Sequence, residues 1–238
     1  MGRTMDLQRD ATGIGALADP LRHQLYRFVC SQPEPVSREQ AADALDVPHH
    51  QAKFHLDRLT AEGLLECDYA RLTGRSGPGA GRTAKLYRRA DRDISISLPQ
   101  REYELAGRLM AAAIARSATT GEAVVELLNR LAHEYGETIG AGAGGAEGSV
   151  GSLDATLSLL RRYGYEPRPQ DERTGDIELA NCPFHALAQE QTELACNMNH
   201  ALITGVADTV APQLLDARLE PGANRCCVVL RCPAGSSG

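Results

Sequence analysis

The chain has 238 residues, 42% of them hydrophobic and 24% charged, with a net charge of −6. This is a globular composition, which excludes a fibrous repeat or wholesale disorder and leaves room for two modest domains. No run of about 18 apolar residues occurs, and Arg3, Asp6, Arg9 and Asp10 stand where a signal peptide has its apolar core, so the reading is a cytoplasmic protein without a membrane span.

In chain order, Leu17, Leu21, Leu25 and Phe28 recur at helical spacing and predict one helix over 14–31, with Pro20 tolerated near its start. Ser37 followed by Gln40 is a capping-box pair opening a short helix whose buried side is Ala41, Ala44 and Leu45. A second helix follows Val47-Pro48 at once, with Ala52, Leu56 and Leu59 on one face and Gly63 as its stop. Leu64 to Asp68 and Ala84 to Arg89 predict two strands of a long hairpin with a Gly/Pro-rich tip over 74–81. Beyond Pro99, Leu105, Leu109 and Ala113 mark one helix and Val124, Leu128, Leu131 and Tyr135 another.

Residues 140–151 hold six glycines and predict a flexible loop. After it come a helix from Leu153 to Tyr163, a strand near 176–179, a long helix from Pro183 to about Val210, and strands near 215–219 and 225–231. The fold class expected is α+β. A winged helix-turn-helix occupies 1–95, a helical dimerisation segment 96–139, the glycine loop 140–151 and a small α+β sensor domain 152–238.

A short helix, a tight turn, a second helix and a basic hairpin suit double-stranded DNA. The second helix enters the major groove while the hairpin reaches phosphates or the minor groove. With Ala52, Leu56 and Leu59 facing inward, His49, His50, Gln51, Lys53, Phe54 and Arg58 are left for the groove and its walls. Between Tyr69 and Ala90 there are six basic residues and no acid, which supplies the counterion release that DNA binding needs. Arg75, Arg82, Lys85 and Arg88 are the hairpin candidates. The alternative for any one of these residues is an ordinary solvated position on a three-helix scaffold.

Residues 47–65 (VPHHQAKFHLDRLTAEGLL) and 81–88 (GRTAKLYR) resemble the recognition helix and wing of ArsR-like bacterial regulators. Residues 101–109 (REYELAGRL), 161–168 (RRYGYEPR), 181–188 (NCPFHALA) and 224–230 (NRCCVVL) resemble regulators related to SufR, the repressor of iron–sulfur cluster assembly genes. The resemblance implies a homodimeric transcription regulator, expected to be a repressor. Its C-terminal cysteines would hold an iron–sulfur cluster whose state changes affinity for an inverted-repeat operator. The cysteine-rich motif of metal-sensing ArsR members is missing, since Cys30 and Cys67 are the only nearby thiols.

Reduced cytoplasmic thiols are candidates for metal or redox chemistry, and five of the seven cysteines follow residue 180. Cys182 precedes Pro183 at the start of the long helix, where a thiolate is favoured. Cys196 lies almost four turns further along, too far to share one metal unless the helix breaks near Gln191 or Thr192. In a strand, Cys226 and Cys227 point to opposite sides, and the apolar run Cys226, Val228, Leu230 ranks Cys226 first. The resemblance implies three cysteines of this domain as cluster ligands, and Cys182, Cys196 and Cys226 are compatible with that role, with Cys227, His200 and His185 as candidates for a fourth.

An iron–sulfur cluster, or zinc in its place, suits that set. Two other readings stand beside it: cysteines packed as small hydrophobes in a ligand-binding or structural domain, and a thiol-dependent transferase using Cys182 and His185. The enzyme reading lacks a nucleotide loop, a nucleophile elbow or an HExxH motif, so no enzymatic activity is expected.

Overall fold

The computed structural model describes residues 6–70, 84–144, 153–170, 175–222 and 225–232. The chain divides between Ile96 and Ser97 into two compact units.

The first unit contains α1 (Asp6–Ala16), α2 (Pro20–Ser31), β1 (Val36–Ser37), α3 (Arg38–Leu45), α4 (His49–Ala61), β2 (Leu65–Ala70) and β3 (Ala84–Arg89). The single helix expected over 14–31 is two. Asp19 is extended and caps α2 by accepting the Arg22 N–H at 2.9 Å, and Pro20 at the first helical position has no N–H to continue a preceding helix.

The capping box forms as expected: Ser37 Oγ accepts the Gln40 N–H at 3.2 Å, and Gln40 Oε1 accepts the Ser37 N–H at 2.8 Å. Within α3 the buried residues are Ala41 and Ala42, whereas Ala44 is exposed. Asp46 in the left-handed conformation ends α3, and α4 begins three residues later with Ala52, Leu56 and Leu59 completely buried. Gly63 at φ +70 turns the chain out of α4, a conformation that costs glycine little.

Two-residue β1, which no periodicity announces, pairs antiparallel with β3 and gives a three-stranded sheet in the order β1-β3-β2. The hairpin tip over 74–81 lies outside the described residues.

The second unit contains α5 (Tyr103–Thr120), α6 (Val124–Gly144), α7 (Leu153–Arg162), β4 (Pro167–Pro169), β5 (Ile177–Leu179), α8 (His185–Glu190), α9 (Thr192–Val210), β6 (Asp216–Leu219) and β7 (Val228–Arg231). The sheet is antiparallel throughout, in the order β4-β5-β7-β6. Leu105, Leu109, Leu127 and Leu128 of α5 and α6 share one apolar core with Leu159, Phe184, Leu202 and Leu230, so the two helices and the segment after residue 152 build one body around a common core.

Two expectations change here. The predicted loop over 140–151 is helical as far as Gly144. Gly140 is buried against Thr209 and Val210 of α9, and tertiary packing of this kind overrides glycine's poor helix propensity. The long helix from Pro183 to Val210 is broken at Gln191, between α8 and α9.

Candidate functional site

α4 presents a polar face to solvent. Its first turn exposes His49, His50 and Gln51, the next turn exposes Lys53 and Phe54, and Arg58 is exposed near its end. Phe54 is 65% exposed, an unusual position for a large apolar ring. Ion pairs temper the charge of this face: Lys53 Nζ lies 3.5 Å from Asp57 and Arg58 2.6 Å from Glu62, while His49 stands 3.4 Å from Asp43.

The basic hairpin is less uniformly positive than its sequence. The β2–β3 register sets Glu66 opposite Arg88, and Arg88 reaches Glu66 at 3.1 Å and Asp68 at 3.6 Å. Lys85 Nζ donates to Asp57 Oδ1 at 2.6 Å, and Tyr87 Oη donates to the same oxygen at 3.0 Å. Lys85 thus joins β3 to α4 within the domain. Asp57, absent from the sequence reading, is the centre of this contact, and its spacing of four from Lys53 was the available signal. Burial works to raise the Asp57 pKa, but the hydrogen bonds from Lys85 and Tyr87 prevail and hold it below the usual carboxylate value. Arg75 and Arg82 lie outside the described residues.

In the second unit, three segments bring four cysteines together: the turn before α8, the first turns of α9, and the bend before β7. Cys196 Sγ donates to Cys227 Sγ at 2.8 Å, and Cys182 and Cys226 lie near enough for each to shift the other's titration. The break at Gln191 removes the length that would separate Cys182 from Cys196 on an unbroken helix. Cys226 and Cys227 precede β7, which begins at Val228. Cys226 is buried, as its expected inward orientation required, while Cys227 is only partly buried, and each meets a different thiol.

Cys182 is pinned from behind. Arg101 Nη1 donates to Asn181 Oδ1 at 2.6 Å and to the Cys182 carbonyl at 2.7 Å, and the Glu102 N–H donates to Pro183 O at 3.1 Å. The Cys182 thiol pKa is lowered, first by the hydrogen bond from Cys226, against the opposing effect of burial, and then by the Phe184 N–H and Arg101. The expected cause, the end of a long helix, gives way to these local donors because α8 starts only at His185 and is six residues long.

Cys226 moves the opposite way: its hydrogen bond to Cys182 and its burial both raise it. Burial, then donation to Cys227, pushes Cys196 up to about 12. Asn199 Nδ2 donates to Cys226 Sγ at 3.1 Å and the Val228 N–H does so at 3.5 Å.

The other candidate ligands are elsewhere. His200 Nε2 is 2.9 Å from Ala217 O, and His185 is exposed at the start of α8. Among the described residues no group of three or more His, Cys, Asp or Glu side chains stands in metal-holding geometry; the thiols form two pairs. Ligands about 2.3 Å from a tetrahedral zinc stand about 3.8 Å apart, so Cys196 and Cys227 must part by about 1 Å to share such an ion. The donor chemistry, four thiols from three segments with N–H donors aimed at one sulfur, fits a thiophilic metal or cluster.

Residues 17–68 match the family model described as a helix-turn-helix domain. The match runs through α2, β1, α3 and α4 into β2, and therefore contains the exposed α4 face. No curated protein and no solved structure matches this chain. The helix-turn-helix domain points to a DNA-binding regulator. Among the described residues no helix is long and apolar enough to cross a membrane.

Proposed function

We propose that this chain is a transcription regulator, acting as a repressor, that binds an inverted-repeat operator as a homodimer. In this reading Gln51, Lys53 and Phe54 of α4 address the major groove, Gln51 by a bidentate contact to adenine and Phe54 by apolar contact with a thymine methyl. His49, His50 and Arg58 flank the groove, and Arg75, Arg82 and Arg88 reach phosphates from the hairpin. Exposed Tyr103, Val124 and Val125 on α5 and α6 serve dimerisation, because one winged helix contacts too few bases for useful specificity.

The second unit holds an iron–sulfur cluster through Cys182, Cys196, Cys226 and Cys227. The observation that carries this is the convergence of four thiols from segments far apart in sequence, together with the resemblance of residues 181–188 and 224–230 to SufR-related regulators. When bound, the cluster supplies an oxidation-sensitive cross-link among the three segments. The chain's own part is to hold the turn at Cys182 through Arg101 and to direct N–H groups at Cys226.

Anaerobic purification followed by iron, sulfide and zinc analysis tests the centre. Binding isotherms on operator DNA then compare the loaded protein with Cys182→Ser, and a coupling of about 5–150-fold in affinity is expected. Superimposable isotherms at matched salt remove the sensing role. A second reading, a structural domain with packed thiols, is favoured by the spacing of the two pairs, and it requires protein free of iron and zinc.

A further inference from the structure

Asn199 is 1% exposed on α9 among Met198, Leu202 and Ile203, all buried. A primary amide in such surroundings is tolerated only when its polar atoms are hydrogen-bonded. Both ends are. Tyr165 Oη, on a side chain itself 2% exposed, donates to Asn199 Oδ1, which leaves Nδ2 to donate to Cys226 Sγ at 3.1 Å. With the Tyr165 hydroxyl donating to the amide oxygen, the amide N–H is left facing sulfur, and this pair of contacts holds the Asn199 side chain between Tyr165 and Cys226. The Val228 N–H supplies a second donor to that sulfur. Asn199 is also three residues after Cys196, so one face of α9 carries both a thiol and the donor to a different thiol.

We propose that Asn199, oriented by Tyr165, is the positioning residue of the thiolate centre, fixing the Cys226 sulfur and tuning whatever metal or cluster it binds. This rests on the reading of the four cysteines as a metal or cluster centre. A cysteine packed as a small hydrophobe needs no converging N–H donors, whereas a ligating thiolate gains from them, and hydrogen bonds to ligand sulfurs raise cluster potentials.

The test uses the full chain, reconstituted anaerobically with ferrous iron and sulfide, as wild type, Asn199→Leu and Tyr165→Phe. In Asn199→Leu, metal loss to a chelator should be about 10–100-fold faster, and the midpoint potential should fall by about 59 mV, a tenfold shift for a one-electron couple. Tyr165→Phe removes one oxygen and should move both readouts in the same direction by less; it decides the matter if Asn199→Leu does not fold. In metal-free protein, the side-chain amide protons of Asn199 should exchange more slowly in wild type than in Cys226→Ala. Loaded variants that match wild type in metal loss and potential overturn this assignment and leave the proposed function standing. Wild-type protein that takes up neither iron nor zinc overturns the metal reading, and the assignment with it.

Discussion

Gly136 on α6 and Gly205 on α9 face each other where the two helices cross, and neither position has room for a methyl group. A Cβ at Gly136 would overlap Leu202 O, and one at Gly205 would overlap His133 O. In a helix interior, glycine to alanine ordinarily gains about 1 kcal/mol. Here overpacking against rigid backbone, about 1–3 kcal/mol or more, outweighs that gain. Gly205→Ala should lower the urea midpoint of the second unit, while Gly142→Ala, at an exposed site on α6 with nothing within 4 Å, should leave it unchanged or raise it slightly.

Asp57 links α4 to β3, and its pKa lies below the ordinary carboxylate value. A lowered folded-state pKa means the stabilisation is fully present above the unfolded value, near about 4, and is lost as pH falls through the lowered one. The melting temperature of the first unit should therefore fall on acidification below about pH 4. Asp57→Asn should flatten that dependence and cost about 1 kcal/mol at neutral pH through the altered bonds to Lys85 and Tyr87. An unchanged acid profile would show that Asp57 does not couple the hairpin to the helix.

On operator DNA, Lys53→Ala should weaken binding across all sequences and reduce the salt slope by about 1. Gln51→Ala should relax preference at one base pair by about 1–3 kcal/mol. Lys85→Ala should act differently, lowering domain stability through its bond to Asp57. Salt-dependent anisotropy titrations beside thermal melts separate the three.

Replacing Val125, 46% exposed at the start of α6, by Asp should shift the protein toward monomer and weaken operator binding with the fold intact. Sedimentation at micromolar concentration reads this. A wild-type monomer, unchanged by added DNA, would remove the dimer.

Among the cysteines, serine at 182, 196, 226 or 227 should abolish metal loading. Cys30→Ser, Cys67→Ser, Cys232→Ser and His185→Ala should retain it. Metal stoichiometry after anaerobic reconstitution is the measurement, and full loading of Cys227→Ser would return the fourth position to another ligand.

Local chemistry made several elements legible from the sequence alone. The Ala52, Leu56, Leu59 stripe of α4, the Ser37–Gln40 capping box, the stop at Gly63 and the hairpin strands each depend on residues within a few positions of one another, and helix and strand periodicities record such relations directly. The exposed face of α4 followed from its buried one. Tertiary structure decided the rest. The two-residue β1 exists only because β3 lies beside it, and Pro167–Pro169 became a strand because it runs along a sheet edge, where missing N–H groups are tolerated. Val124 heads the apolar stripe of α6 yet is exposed, while Leu127, outside that stripe, is in the core beside Leu128, because the neighbours of α6 set which face is covered. The acid-free segment from Tyr69 to Ala90 meets Glu66 and Asp68 across the strand pairing, through Arg88. Cys196 and Cys227 meet across 31 residues, a pairing that depends on where the chain entering β7 runs beside α9. Local spacing carries no record of such distant partners, because packing of the whole core, and not the propensity of either segment, sets where they meet.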